Sequence, residues 1–217
     1  MKMKVVITVL LLSISAINVK SQDNKTVISN YLFTDFIQGQ VKLKSGISQS
    51  TKLDYNSFTE EMVFEKNGTK LALTNLETID TVIIEDRKFV PVGKVFYEIL
   101  ENSSMPLFIH YTCSATPKGR PSGYGGTSET GSISSASMIY DQSGRNYDMN
   151  FSEEYNVYPH SEYLFRKDNN YYRISDVNSL IKQFPERKAA IKEFVKIHKT
   201  SLKKSEDIKQ LLIFCNK

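Results

Sequence analysis

Between Leu53 and Leu100 the chain alternates apolar and polar positions in short runs broken by turn residues. In MVFEK and TKLAL, Met62/Phe64 and Leu71/Leu73 share one face, the period of two that marks a half-buried antiparallel strand. Asn67-Gly68 between them is a hairpin signal, because both residues tolerate the positive φ of a type I′ turn. Val82, Ile83 and Ile84, then Phe89, Val90 and Val92, predict a second pair turning through Glu85-Asp86-Arg87-Lys88. Upstream, 39–44 alternates with Val41 and Leu43 inward and stops at Ser45-Gly46. Lys52 to Phe58 then places Leu53, Tyr55 and Ser57 together. Tyr31-Leu32-Phe33 and Phe36-Ile37 open the fold after a polar, loose stretch at 22–30. Downstream of a turn at 101–104, Pro106 to Cys113 reads as a strand with His110 and Cys113 on opposite faces, being three apart.

The pattern changes at Pro117. From there to Ser137 Gly, Ser, Thr and Pro dominate, a stretch longer than an ordinary connection and of the kind that carries function when ordered. Met138 to Tyr172 is rich in tyrosine, with turns at 141–146 and 167–170 and two or three further strands between them. From Ser175, read as an N-cap, the period becomes helical: Val177, Leu180, Ile181 and Phe184 form one stripe. Pro185 opens a second helix with Ala190, Ile191, Phe194 and Ile197 inward. A third starts near Ser205 with Ile208, Leu211, Leu212 and Cys215 on one side. These helices need a sheet face to cover. The expected fold is α+β: an antiparallel β-meander, curved or half-barrel in outline, with two or three C-terminal helices packed on it.

The first 21 residues stand apart from that fold. Lys2 and Lys4 followed by an apolar run from Val5 predict a signal peptide cut before Gln22. The run is shorter than the roughly 20 residues a bilayer span needs, and no cysteine follows it to take a lipid. The expectation is an exported, periplasmic or extracellular protein whose residues 22–217 form one domain. Within it, 31–116 would be the meander, 117–137 the Gly/Ser/Thr-rich loop, 138–174 further strands and 175–217 the helical tail. Charge sharpens the division. The formal +4 falls by three, to +1, without Lys2, Lys4 and Lys20. Residues 22–181 carry 15 basic and 20 acidic groups, and residues 182–217 carry 10 and 4. The cationic tail reads as a solvated helix face; the alternative is an acidic partner or anionic surface. No nucleic-acid partner is expected.

Candidate chemistry is sparse. Gly123-Tyr124-Gly125-Gly126-Thr127-Ser128 resembles a phosphate cradle but has neither P-loop spacing nor GxGxxG order, and no G-x-S-x-G elbow exists. His110 has no second histidine near it in sequence and reads as a packed or rim residue rather than a ligand or base. Asp141-Gln142-Ser143-Gly144-Arg145-Asn146 does not supply an EF-hand loop. Glu60-Glu61 and Glu153-Glu154 invite a two-carboxylate glycosidase reading, but adjacent strand residues face opposite ways. Cys113 and Cys215 allow either a bridge between the last meander strand and the final helix or two buried free thiols. There is no CxxC and no zinc spacing, and no cofactor, metal or catalytic residue is assigned.

The succession YLFTDFIQGQVKLKSG, LDYNSFTEEMVFEKNGTKLAL, DRKFVPV and YGGTSETGSI, followed by a basic helical tail, resembles a group of signal-peptide-bearing exported proteins of Bacteroidetes-type bacteria. Tyr55-Asn56 with Glu60-Glu61-Met62 and the Tyr124 to Ser128 run are its most distinctive pieces. The group has no established activity, so the resemblance implies compartment and architecture and carries over no site residue. The functional expectation is a non-catalytic binding or scaffold domain. Its ligand surface would combine Tyr124, Gly125, Gly126, Thr127 and Ser128 with His110 and the tyrosine-rich strands. The alternatives are a periplasmic carrier of an apolar ligand and an enzyme of unrecognised type.

Overall fold

A computed structural model of the chain describes residues 29–118, 120–121, 127–128, 147 and 155–216. The expected signal peptide, Tyr124 to Gly126 and the turn at 141–146 lie outside the described residues. Ten strands form one open antiparallel sheet: β1 Ile37–Leu43, β2 Ser48–Asn56, β3 Glu61–Lys66, β4 Thr69–Ala72, β5 Ile79–Ile84, β6 Arg87–Val92, β7 Val95–Glu101, β8 Leu107–Pro117, β11 Tyr155–Lys167 and β12 Asn170–Ile174. The spatial order is β12-β11-β8-β7-β6-β5-β1-β2-β3-β4. Two meanders are thus joined edge to edge where β5 pairs with β1. A small second ladder, β9 Arg120–Pro121 with β10 Thr127–Ser128, stands within the stretch expected to be loop.

Turn chemistry explains the hairpins. Asn67 and Gly68 both have positive φ, 53° and 77°, as do Asp168 and Asn169 at the β11–β12 turn. The β5–β6 turn is tighter than the four charged residues imply. Glu85 and Asp86 make it alone, Glu85 at φ 54°, and Arg87 opens β6. Gly39 sits in β1 for a different reason. A Cβ there would lie 2.5 Å from the Ile83 carbonyl oxygen and 2.9 Å from Leu53 Cδ1, so only glycine lets β5 approach.

The sheet curls. Five strand spacings separate β2 from β8, about 24 Å in a flat sheet. Yet Tyr55 Oη donates to the Tyr111 carbonyl at 3.0 Å, and the Cys113 amide donates to the Ser57 carbonyl at 2.9 Å. The inner face is filled by Leu53, Tyr55, Met62, Val82, Ile84, Phe89 and Phe96. Farther along that face, Met105, Leu107, Phe165 and Ile174 carry three C-terminal helices: α1 Val177–Ile181, α2 Lys188–His198 and α3 Ser205–Cys215. Leu180, Ile181, Phe184, Ile191, Ile208, Leu211, Leu212 and Cys215 bury there, the stripe the period of 3.6 marks. The α1 cap is Asp176 rather than Ser175, its carboxylate accepting from the Ser179 amide at 2.6 Å. Ile197 is exposed rather than inward, and Val195 packs in its stead. Leu71 is exposed as well, because β4 is an edge.

Residues 29–36 cover the outer face at the end of β2, where β1 has stopped. The Leu32 amide donates to the Tyr55 carbonyl at 2.9 Å, and Asn30 accepts from Ser57. Asn30, read as part of a loose stretch, is buried by that contact. Asp54, Asn56 and Val63 are buried on that side, so the end of β2 and the start of β3 are covered on both faces.

The two cysteines are free thiols. Of the two readings the sequence leaves open, the structure has the unbridged one: Cys215 is buried among the helices, while Cys113 stands six residues beyond Leu107, roughly 20 Å along β8. The curl places Cys113 beside Ser57 instead of beside the helices.

Candidate functional site

Strands β8 and β11 are longer than the strands around them. Their pairing runs from Leu107↔Phe165 to Pro117↔Tyr155, whereas β7 pairs with β8 only as far as Ile109. Beyond that point they form a two-stranded ribbon. Directly opposed residues share a face, so His110/Glu162, Thr112/His160, Ser114/Tyr158 and Thr116/Asn156 line one side. It is the side away from the helices, because Leu107 and Phe165 point to them.

At the inner end of this row His110 is buried between two carboxylates. Its Nε2 lies 2.9 Å from Glu60 Oε2 and its Nδ1 3.4 Å from Glu162 Oε1. Arg173 Nε holds the other oxygen of Glu162 at 2.6 Å, and the Tyr97 ring sits 4.8 Å from the imidazole, centroid to centroid. Burial disfavours the imidazolium, but the hydrogen bonds and charges of Glu60 and Glu162 outweigh it and raise the His110 pKa above its ordinary value. With both nitrogens engaged, the imidazolium fastens the Ser57–Glu60 turn to β8 and β11. Glu60 has φ 60° and precedes β3, which turns its side chain toward β8, while Glu61 accepts from Tyr147 Oη at 2.7 Å. The adjacent carboxylates do face different groups. The two carboxylates around His110 meet opposite sides of the ring, and among the described residues no cluster of His, Cys, Asp or Glu is placed to hold a metal ion.

Farther out, Ser114 Oγ lies 3.0 Å from His160 Nε2 on the exposed face. Among the described residues nothing hydrogen-bonds the other nitrogen of His160, so the pair lacks the group that orients a base in a nucleophilic triad. The outer row, Thr112, Ser114, Thr116, Asn156, Tyr158 and His160, contains no carboxylate, ammonium or guanidinium. Tyr158 exposes 48 % of its surface there.

Of the residues the sequence singles out, His110 belongs to this face, and Thr127 and Ser128 fall on β10, paired with β9 just past the end of β8. Tyr124, Gly125 and Gly126 are not among the described residues. Glu60 (singled out only as one of an adjacent acidic pair), Glu162 and Arg173 come from three separate segments, and the last two carry no local signal. Alternation within 155–162 gives the outward set of β11, but the partner strand and its register come only from the fold.

Among the described residues clefts also lie elsewhere. One, about 480 Å³, is bounded by Tyr31, Phe36, Lys52, Glu65 and Lys70 on the outer face over Asp54. Burial pushes the Asp54 carboxyl up to about 7, against the pull of the Phe33 and Tyr55 amides that donate to it. Others border α3, at Glu101, Met105 and Leu212 and between α2 and α3. Among the described residues no helix is long and apolar enough to cross a membrane.

No protein-family model, curated protein or solved structure matches the chain.

Proposed function

We propose that the protein is an exported, non-catalytic binding domain. Its ligand surface is the outer face of the β8–β11 ribbon, and its ligand is a neutral, hydroxyl-rich chain such as a glycan. One observation carries the reading: an uncharged row of hydroxyl, amide, imidazole and phenol groups is aligned by the register of a strand pair and left largely exposed. Ser114, Thr116 and Asn156 both donate and accept, which suits hydroxyls that do the same. Tyr158 adds an apolar ring with a polar tip, a platform for the C–H face of a sugar ring. A charged ligand would find no counter-charge in the row. Export rests on the Lys2/Lys4 and apolar leader pattern.

Two features weigh against the other readings. The inner face that would hold an apolar cargo is filled by Leu53, Tyr55, Met62, Val82 and Phe89, each fully buried. His110 has both nitrogens taken by carboxylates, which suits a clamp better than a base.

Affinity electrophoresis through gels containing neutral polysaccharides, with a glycan array to widen the range, tests this. Retardation by at least one neutral glycan is expected, abolished by Tyr158→Ala or Ser114→Arg with stability changed by no more than about 0.5 kcal/mol. Absence of retardation by every neutral glycan, or undiminished binding by Tyr158→Ala, overturns it.

A further inference from the structure

The connection between α2 and α3 has a composition found nowhere else among the described residues. From Lys196 to Lys204 it carries Lys196, Lys199, Lys203 and Lys204, all exposed, and no acid. Lys199 turns the chain in a left-handed conformation, φ 48° and ψ 40°, with its amide on the Val195 carbonyl. Amid these lysines Ile197 exposes 66 % of its surface, the most of any large apolar side chain described. Lys196 and His198 have a local reason to be there, since cations favour a helix C-terminus. The protruding Ile197 has none.

We propose that this α2–α3 tip docks the protein on an anionic phospholipid surface, with Ile197 entering the headgroup–acyl boundary and the four lysines meeting lipid phosphates. Basic residues around an exposed apolar side chain are the layout of an interfacial element. The charge of the chain orients it: residues 22–181 are net acidic and would be repelled, while 182–217 are net basic and would lead. An acidic peptide is the less suitable occupant. The cleft it would have to enter, floored by Phe194 and Phe214, is walled by the Asp207 carboxylate, whereas a bilayer meets only the crest. The inference is independent of the ribbon, which lies on the opposite face of the sheet from the helices.

Co-sedimentation with phosphatidylglycerol/phosphatidylcholine vesicles, against pure phosphatidylcholine vesicles, tests it. The mature protein is expected to pellet with the anionic vesicles at about 20 mM salt and to be released at about 0.5 M. Ile197→Asp and the double variant Lys199→Glu/Lys203→Glu should each weaken binding about tenfold, the first by removing an inserted side chain and the second by removing headgroup contacts. Both sites are exposed, so circular dichroism should show each variant folded. Three outcomes overturn the proposal: no pelleting with anionic vesicles, equal pelleting with phosphatidylcholine alone, or Ile197→Asp binding like the unaltered protein. The last would leave a purely electrostatic contact of the kind any acidic polymer makes.

Discussion

Arg87 and Glu98 form a bidentate pair inside the curled sheet, Nε to Oε1 at 2.9 Å and Nη2 to Oε2 at 2.6 Å. Tyr111 Oη donates to the same carboxylate at 2.8 Å, and the guanidinium carbon lies 4.9 Å from the Phe33 ring centroid and 5.3 Å from those of Phe89 and Tyr111. The pair therefore ties β6, β7 and β8 to the segment that crosses the end of β2. A buried pair adds little over an apolar substitute, but a broken one leaves a charge without its partner. Arg87→Met is expected to cost about 3–5 kcal/mol in urea denaturation, and Glu98→Leu with Arg87→Met to recover much of that loss. A double variant that costs the sum of the two single variants would show that the pair is not coupled.

The His110 clamp has a pH signature. Its folded pKa is raised above the unfolded value of about 6.5, so its stabilisation is whole below that pH and is lost as pH rises through the folded pKa. Glu60→Gln removes the negative charge at the shorter of the two ring contacts and should lower the His110 pKa, bringing the loss to lower pH. Proton NMR titration of the imidazole reads the pKa directly. A wild-type value at or below 6.5 would contradict the clamp.

Free thiols predict indifference to reductant. Burial pushes the Cys215 thiol up to about 11, and that of Cys113 is raised by burial too. Neither should alkylate quickly in the native protein near neutral pH, since the thiolate is the reacting form. The melting temperature should be the same with and without dithiothreitol, and iodoacetamide should label both cysteines once guanidinium chloride unfolds the unreduced chain. A reductant-sensitive transition would restore the bridge.

Much of the sheet is legible in the sequence, because each strand has to bury every second residue and the hairpins demand residues that accept positive φ. Met62, Leu53, Tyr55, Val82 and Phe89 announce themselves in that way, as do Ile208, Leu211 and Leu212 on the last helix. What escapes is whatever a second layer decides. Asp54 and Val63 look outward by alternation and are buried because 29–36 crosses above them. Arg87 looks like a turn residue and is interior because the sheet curls over it. Ile197 satisfies the inward spacing of α2 and still faces out, since α3 and the sheet leave that side uncovered. The candidate site shares this limit: His110 is visible as a residue, but Glu60, Glu162 and Arg173 reach it only through the β8–β11 register and the folding of β2 against β8.

Asp54 gives the second pH effect, in a different window from His110. Its carboxyl is buried where the 29–36 segment crosses β2, and burial lifts its pKa from 3.8 to about 7 although two amides donate to it. A carboxyl raised on folding binds its proton more tightly in the folded chain than in the unfolded one. Stability therefore falls as pH rises from about 4 to about 7 and is level above that, the reverse of the usual salt-bridged aspartate. Three pK units correspond to roughly 4 kcal/mol between the two ends of the window. Asp54→Asn keeps an oxygen to accept from Phe33 and Tyr55 and removes the ionisation. The variant should lose the slope between pH 4 and 7 and be more stable than the unaltered protein at pH 8, as read from urea midpoints across pH. A parallel slope in both proteins would mean that Asp54 ionises as freely folded as unfolded, and that the cover over β2 admits water.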